Sequence, residues 1–255
     1  MVVKRKKSIL IIVILLILIG IMLLFAYYNA SKKSPVERLL NDAGVFMQPP
    51  PKGYGKEFGE KIMNLLVTKE EIKKITTPTA KPQPTSATLW DWGKEGKILS
   101  YDKNLDLTTG STINIGIERP EDMKLRHKIV IGTDRSSWEL IRKEKNLSEN
   151  KTFKRTYLLI QRRGENGRIS GLIFYEGMKV EIEIEGQVSD DVIKNLEDVT
   201  WLVSGRIENI YNRYIKEISE GSLFKNNPTM TRPDLPDPDK QHTQGFPNHN
   251  IFNFI

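Results

Sequence analysis

Residues 8–28 read SILIIVILLILIGIMLLFAYY, a run of 21 without a single charge. At about 1.5 Å of rise per residue such a helix spans ~30 Å, the thickness of a bilayer's hydrocarbon core. Phe25, Tyr27 and Tyr28 gather at its end, where aromatic rings favour the membrane interface. The run is longer than the apolar part of a secretory signal. The best small-residue cleavage site, after Ala30, also places Tyr28 where a small side chain is required. An uncleaved anchor is therefore expected, contacting the membrane through residues 8–28. Lys4, Arg5, Lys6 and Lys7 precede the run, while Lys32, Lys33 and Arg38 follow it. That bias predicts a cytoplasmic N-terminus and a C-terminal domain outside the cytoplasm, in the cell envelope.

The anchor also accounts for part of the charge. Four of the 39 cations lie in the first 30 residues, leaving 35 against 32 acids. A balance so near neutral lacks the basic surplus of a nucleic-acid-binding domain, and none is expected here. Cysteine is absent, which excludes disulfides, thiolate metal sites and cysteine nucleophiles. His127, His242 and His249 are the three histidines, two of them in a polar tail, so no metal site and no cofactor is expected.

Four stretches follow from composition and period. Residues 1–30 form the cytoplasmic stub and transmembrane anchor. Residues 31–88 read as a helical and proline-rich stalk or linker. Ser34-Pro35-Val36-Glu37 and Thr68-Lys69-Glu70-Glu71 have capping-box spacing, Phe58, Ile62, Leu65 and Leu66 share a helical face, and TTPTAKPQPTSA ends the stretch. These helices either stand as a stalk or pack on the domain. Residues 89–220 form the globular domain, and 221–255 a disordered polar tail.

Within the domain the period changes to two. Strands are expected near 97–101, 112–118, 127–132, 152–163, 168–175 and 178–188, with a capped helix opening at Ser136 and running to about Lys145. Asn166-Gly167 and Glu176-Gly177 are turn signals within an antiparallel meander. Val192, Leu196, Val199, Val203, Ile207, Ile210, Tyr214 and Ile218 then form one apolar stripe, interrupted at Gly205, where a kink or a close approach is expected. The fold class is α+β: an antiparallel sheet of about six strands covered by a long C-terminal helix, preceded by one transmembrane helix.

No motif commits the domain to a reaction. Asp134-Arg135-Ser136-Ser137 near His127 lacks a nucleophile elbow, and helix capping accounts for Ser136 and Glu139. Two features remain as binding candidates. Trp90 and Trp92 flank an acid, an arrangement that suits aromatic anchoring of a partner but also core filling. Glu181, Glu183 and Glu185 make a carboxylate row on one strand face, to be neutralised by Lys154, Arg155, Arg162, Arg163 or Arg168 of the same meander. The expected function is a single-pass protein with an extracytoplasmic binding or scaffolding domain and a protein partner in an envelope complex. The alternative is an envelope hydrolase using Asp/Glu residues, which needs two carboxylates facing a cleft.

Overall fold

The computed structural model describes Gly20, Met22 and residues 45–93, 96–134, 138–145, 152–163 and 166–224. Residues 8–28 lie outside these, apart from Gly20 and Met22, which are helical. Among the described residues no helix is long and apolar enough to cross a membrane. The helix expected after Ser34 and the tail from 225 onward also lie outside them. The chain divides into two compact units, Met1–Phe46 and Met47–Ile255. The second carries the α+β fold: one large antiparallel sheet and a long C-terminal helix.

Eight strands build the sheet: β1 (Phe46–Gln48), β2 (Ser86–Asp91), β3 (Lys97–Asp106), β4 (Ser111–Ile117), β5 (Glu139–Lys145), β6 (Lys154–Arg163), β7 (Asn166–Tyr175) and β8 (Met178–Gln187). Their order is β1-β2-β3-β4-β8-β7-β6-β5. Two meanders thus meet where β4 pairs antiparallel with β8, and the crossover between them is helix α3 (Pro120–Asp134). Helices α1 (Lys56–Leu66), α2 (Lys69–Ile75) and α4 (Asp190–Ile210) lie on the other face from α3.

Five of the six expected strands are present, and two assignments are corrected. Residues 127–132 are helical. HKIVI reads as a strand because of its β-branched residues, but Pro120 at the first turn, Glu121 and Asp122 behind it, and the buried set Met123, His127 and Ile131 at intervals of four make a helix. Residues 139–145, expected as helix, form edge strand β5, held by pairs such as Leu140↔Leu159 and Lys143↔Tyr157. Pairing at a sheet edge here overrides a charged, helix-compatible sequence. With β1 and β2, this raises the count from about six to eight.

The first face of the sheet is the main core. Ile113, Ile115 and Ile117 of β4, Val180, Ile182 and Ile184 of β8 and Ile169 and Ile173 of β7 pack beneath Leu196, Val199, Val203 and Ile207 of α4. Each such side chain, fully buried, contributes roughly 1.5–3 kcal/mol. α4 approaches β7 closely because Gly171 has no side chain: a Cβ there would sit 2.0 Å from Thr200 Oγ1. Ser189 caps α4 by accepting from the Val192 N–H at 3.3 Å.

The described residues of the segment 31–88 are more than a linker. Ile62, Met63 and Leu66 of α1 and Ile72 and Ile75 of α2 are buried in the same core, so for these helices packing on the domain replaces the stalk. Thr68 and Glu71 form the expected capping box. Glu71 also receives both terminal nitrogens of Arg206 at 2.7 Å, while Arg206 Nη1 reaches the Leu66 carbonyl at 2.9 Å. One guanidinium therefore fastens α1 and α2 to α4.

At its end α4 keeps the expected stripe, with Ile210 and Ile218 buried in the core and Tyr214 packed against it, but changes helix type. Tyr211–Ile215 is a π-helical turn before the short α5 (Lys216–Ser219). Tyr211 and Ile215 of this turn are buried, and Tyr214 is half-buried. Gly205 marks no close approach: α4 runs through it, and outside its own helix nothing lies within 4 Å of where its Cβ would be.

Candidate functional site

Alternation along each strand builds the second face from the residues between the core positions. On β6 and β7 these are Tyr157, Leu159, Leu172 and Phe174. They form a smaller core with Met123 and Ile131 of α3. On β2, β3, β4 and β8 the same face is polar. Register aligns Thr88 with Ser100, Gly116 and Lys179 in one row, and Ser86 with Asp102, Asn114 and Glu181 in the next. Thr112 opposite Glu183 leads a third. Asp102 is exposed, and Asn114, Glu181 and Glu183 are half-buried. Among the described residues α3 thus roofs one half of this face and leaves the other partly open, with Ser100 buried in it.

Hydrogen bonds organise the open half. Ser100 Oγ donates to Asp102 at 3.1 Å, and Asn114 Nδ2 donates to Ser100 Oγ at 3.0 Å and to the other Asp102 oxygen. Lys179 Nζ lies 2.8 Å from Glu181, and Arg168 Nη1 lies 3.2 Å from Glu183, which also accepts from Ser170 Oγ at 3.3 Å. Burial holds the Glu183 carboxyl above the usual range, with Glu181 and Glu185 adding to the effect and Arg168 opposing it. Of the cations expected to neutralise the row, Arg168 does so. Lys179, from the same strand as the glutamates, was not foreseen. Side chains of Arg162 and Arg163 lie outside the described residues.

Where the open half meets the roof sits Glu118, 1% exposed. Arg126 Nε of α3 donates to both its oxygens at 2.8 Å, while Arg126 Nη2 is buried with no hydrogen-bond partner. Burial pushes the Glu118 carboxyl up to about 7, against the opposing pull of Arg126. Beside it Arg119 grips Asp122 at 2.7 and 2.9 Å. The Glu118 N–H donates to the Gly177 carbonyl at 2.9 Å, an approach that only glycine permits, since a Cβ on Gly177 would lie 2.3 Å from Glu118 O.

His127 is buried in the roof, with Nε2 2.6 Å from Tyr157 Oη and its ring among Phe153, Tyr157 and Phe174. Ser136 and Ser137 lie outside the described residues. No group of three or more His, Asp and Glu able to hold a metal occurs among the described residues.

The sequence-derived candidates divide. Trp90, half-buried on β2 opposite Ile98, shares the second face with Glu181 and Glu183. Trp92 lies past the strand end. Its N–H donates to the Gly96 carbonyl at 2.8 Å, and its indole Nε1 is buried without a partner. Glu185 is exposed at the far end of β8, on the margin of two pockets of about 450 and 410 Å³, and is the one carboxylate lining either. Ser100, Asp102, Asn114 and Lys179 were missed. For Ser100 and Asp102 the signal is the alternation of Ser100, Asp102 and Asn104 with Leu99, Tyr101 and Lys103, legible only once β3 is extended past residue 101.

The fold and this surface define an α+β domain presenting a hydrogen-bonded polar sheet face. The chain matches none of the family models, curated proteins or solved structures with which it was compared.

Proposed function

We propose that the protein is a single-pass membrane component of a cell envelope, with its N-terminus in the cytoplasm and its α+β domain outside, binding or scaffolding a protein partner. The contact surface is the polar half of the second sheet face, from Trp90 through Asp102 and Asn114 to Glu181 and Glu183, with the buried Ser100 orienting Asp102 and Asn114. The observation that carries this reading is the half-roofed face. α3 covers the apolar half, while the polar half is left accessible with its side chains already oriented by mutual hydrogen bonds, so little ordering is needed on binding. The uncharged run at 8–28 supports the anchor, and its cationic flank supports the orientation. A hydrolase needs two carboxylates free to act across a cleft. Here Glu181 and Glu183 lie on a strand face and each is engaged by a cation.

Co-purification from native membranes in mild detergent, with mass spectrometry, tests the reading. A stoichiometric partner is expected, retained by the wild type and lost on Trp90→Ala or on Asp102→Lys with Glu181→Lys. A monomer without a partner, or a partner indifferent to all these substitutions, refutes it.

A further inference from the structure

The outer side of the helical layer carries a second surface, independent of the sheet face. Between α1 and the end of α4 runs a groove of about 250 Å³ lined by Leu65, Gly205, Arg206, Asn209, Ile210, Arg213 and Tyr214; Arg206 is already engaged by Glu71, and Arg213 is the further cation. Gly205 leaves its floor open, and Leu65 is 41% exposed at its wall. Tyr214, within the π turn, is half-buried, packed on one side against the main core and lining this groove on the other. Lys61 Nζ lies 4.7 Å and the Arg213 guanidinium 5.4 Å from the centre of the Tyr214 ring, so two positive charges are held at the mouth by an aromatic ring. An occupant of this groove is a short apolar side chain flanked by negative charges.

The chain contains such a segment. Past Phe224, residues 233–239 read PDLPDPD: Leu235 between Asp234 and Asp237, then Asp239, with three prolines that favour the extended polyproline conformation. Reach is sufficient. From Tyr214 to Phe224 the chain runs through α5 and one turn, at most roughly 25 Å, and the ten residues to Asp234 extend up to about 35 Å. We propose that the groove between α1 and α4 docks residues 233–239 of the same chain, Leu235 against the exposed Leu65, and the aspartates against Lys61 and Arg213.

Absence of native cysteine allows a direct test. The full chain carrying Asn209→Cys and Pro236→Cys, which leaves Leu65 and Leu235 in place, is purified in mild detergent and oxidised with copper–phenanthroline. A second chain carrying Asn209→Cys and Thr243→Cys serves as the reference. The expected result is an intramolecular disulfide forming at least about tenfold faster in the first chain, since docking raises the local concentration. That advantage should vanish in about 1 M NaCl, where the Debye length is about 3 Å, and on changing Asp234, Asp237 and Asp239 together to Asn. Equal rates, or an advantage that survives both salt and the Asn changes, overturns the proposal. So do cross-links forming only between chains, which assign the groove to a second copy.

Discussion

Glu118 is the residue whose burial has the clearest consequence in solution. Its carboxyl is raised to about 7, chiefly by burial, against an ordinary value of 4.5. The folded state therefore holds a proton that the unfolded chain releases, and stability is highest below the unfolded value and falls as pH rises through that window. Stability is expected to fall as pH rises from the ordinary glutamate range toward neutrality because of this group. Glu118→Gln removes that part of the slope, which urea denaturation at a series of pH values measures. A second residue-scale expectation concerns Gly171. Alanine there places a Cβ 2.0 Å from Thr200 Oγ1 and 3.0 Å from Thr200 Cβ. It should cost about 1–3 kcal/mol by forcing α4 from the sheet. Thr200→Ala, which removes the nearer atom, recovers part of that loss, so a double-mutant cycle of denaturation midpoints gives non-additive values.

Among elements, the helical layer depends on Arg206. It joins α4 to the capping glutamate of α2 and to the last turn of α1, and its bond holds the Glu71 carboxyl below the usual range. Arg206→Ala is expected to destabilise by about 1.5–3 kcal/mol at neutral pH, the scale of a hydrogen bond to a charged group. A carboxyl depressed in the folded state contributes stability above its unfolded value, and that contribution is lost as pH falls through the folded one. The gap between wild type and variant should therefore narrow in acid, below the ordinary glutamate range. A gap that stays constant down to pH 3 would show that packing, and not the ion pair, carries the effect.

On the scale of the whole molecule, residues 8–28 and the compact unit Met47–Ile255 make different demands. One is uncharged over its full length; the other alternates apolar and polar residues around a sheet. The proposed anchor predicts that the full chain stays in the membrane pellet through an alkaline carbonate wash. Replacing Ile14 and Leu18 with Arg adds two charges near the middle of the run, each costing about 2.5–3.5 kcal/mol there. The variant should pass to the supernatant, read by immunoblot. Wild-type protein released by carbonate would remove the anchor from the functional proposal.

Local interactions were legible in the sequence. Strict alternation marks β8, because Val180, Ile182 and Ile184 need one face of a pleat and the glutamates the other. Thr68 and Ser189 announce helix starts because a cap bonds within three residues of itself. The stripe from Leu196 to Ile210 identifies α4 because period 3.6 belongs to the chain. Where local preference is ambiguous, the tertiary structure decided. β5 is a strand because Leu140 pairs with Leu159 across an edge, and residues 127–132 are helical because the second sheet face needs Met123, His127 and Ile131 on one side. The candidate surface is of this kind. Asn114 meets Glu181 only because α3 carries the chain to the far edge, so that the second meander returns to pair β8 with β4. Pairing between distant strands is set by which arrangement buries both their apolar faces, a property of the assembled sheet.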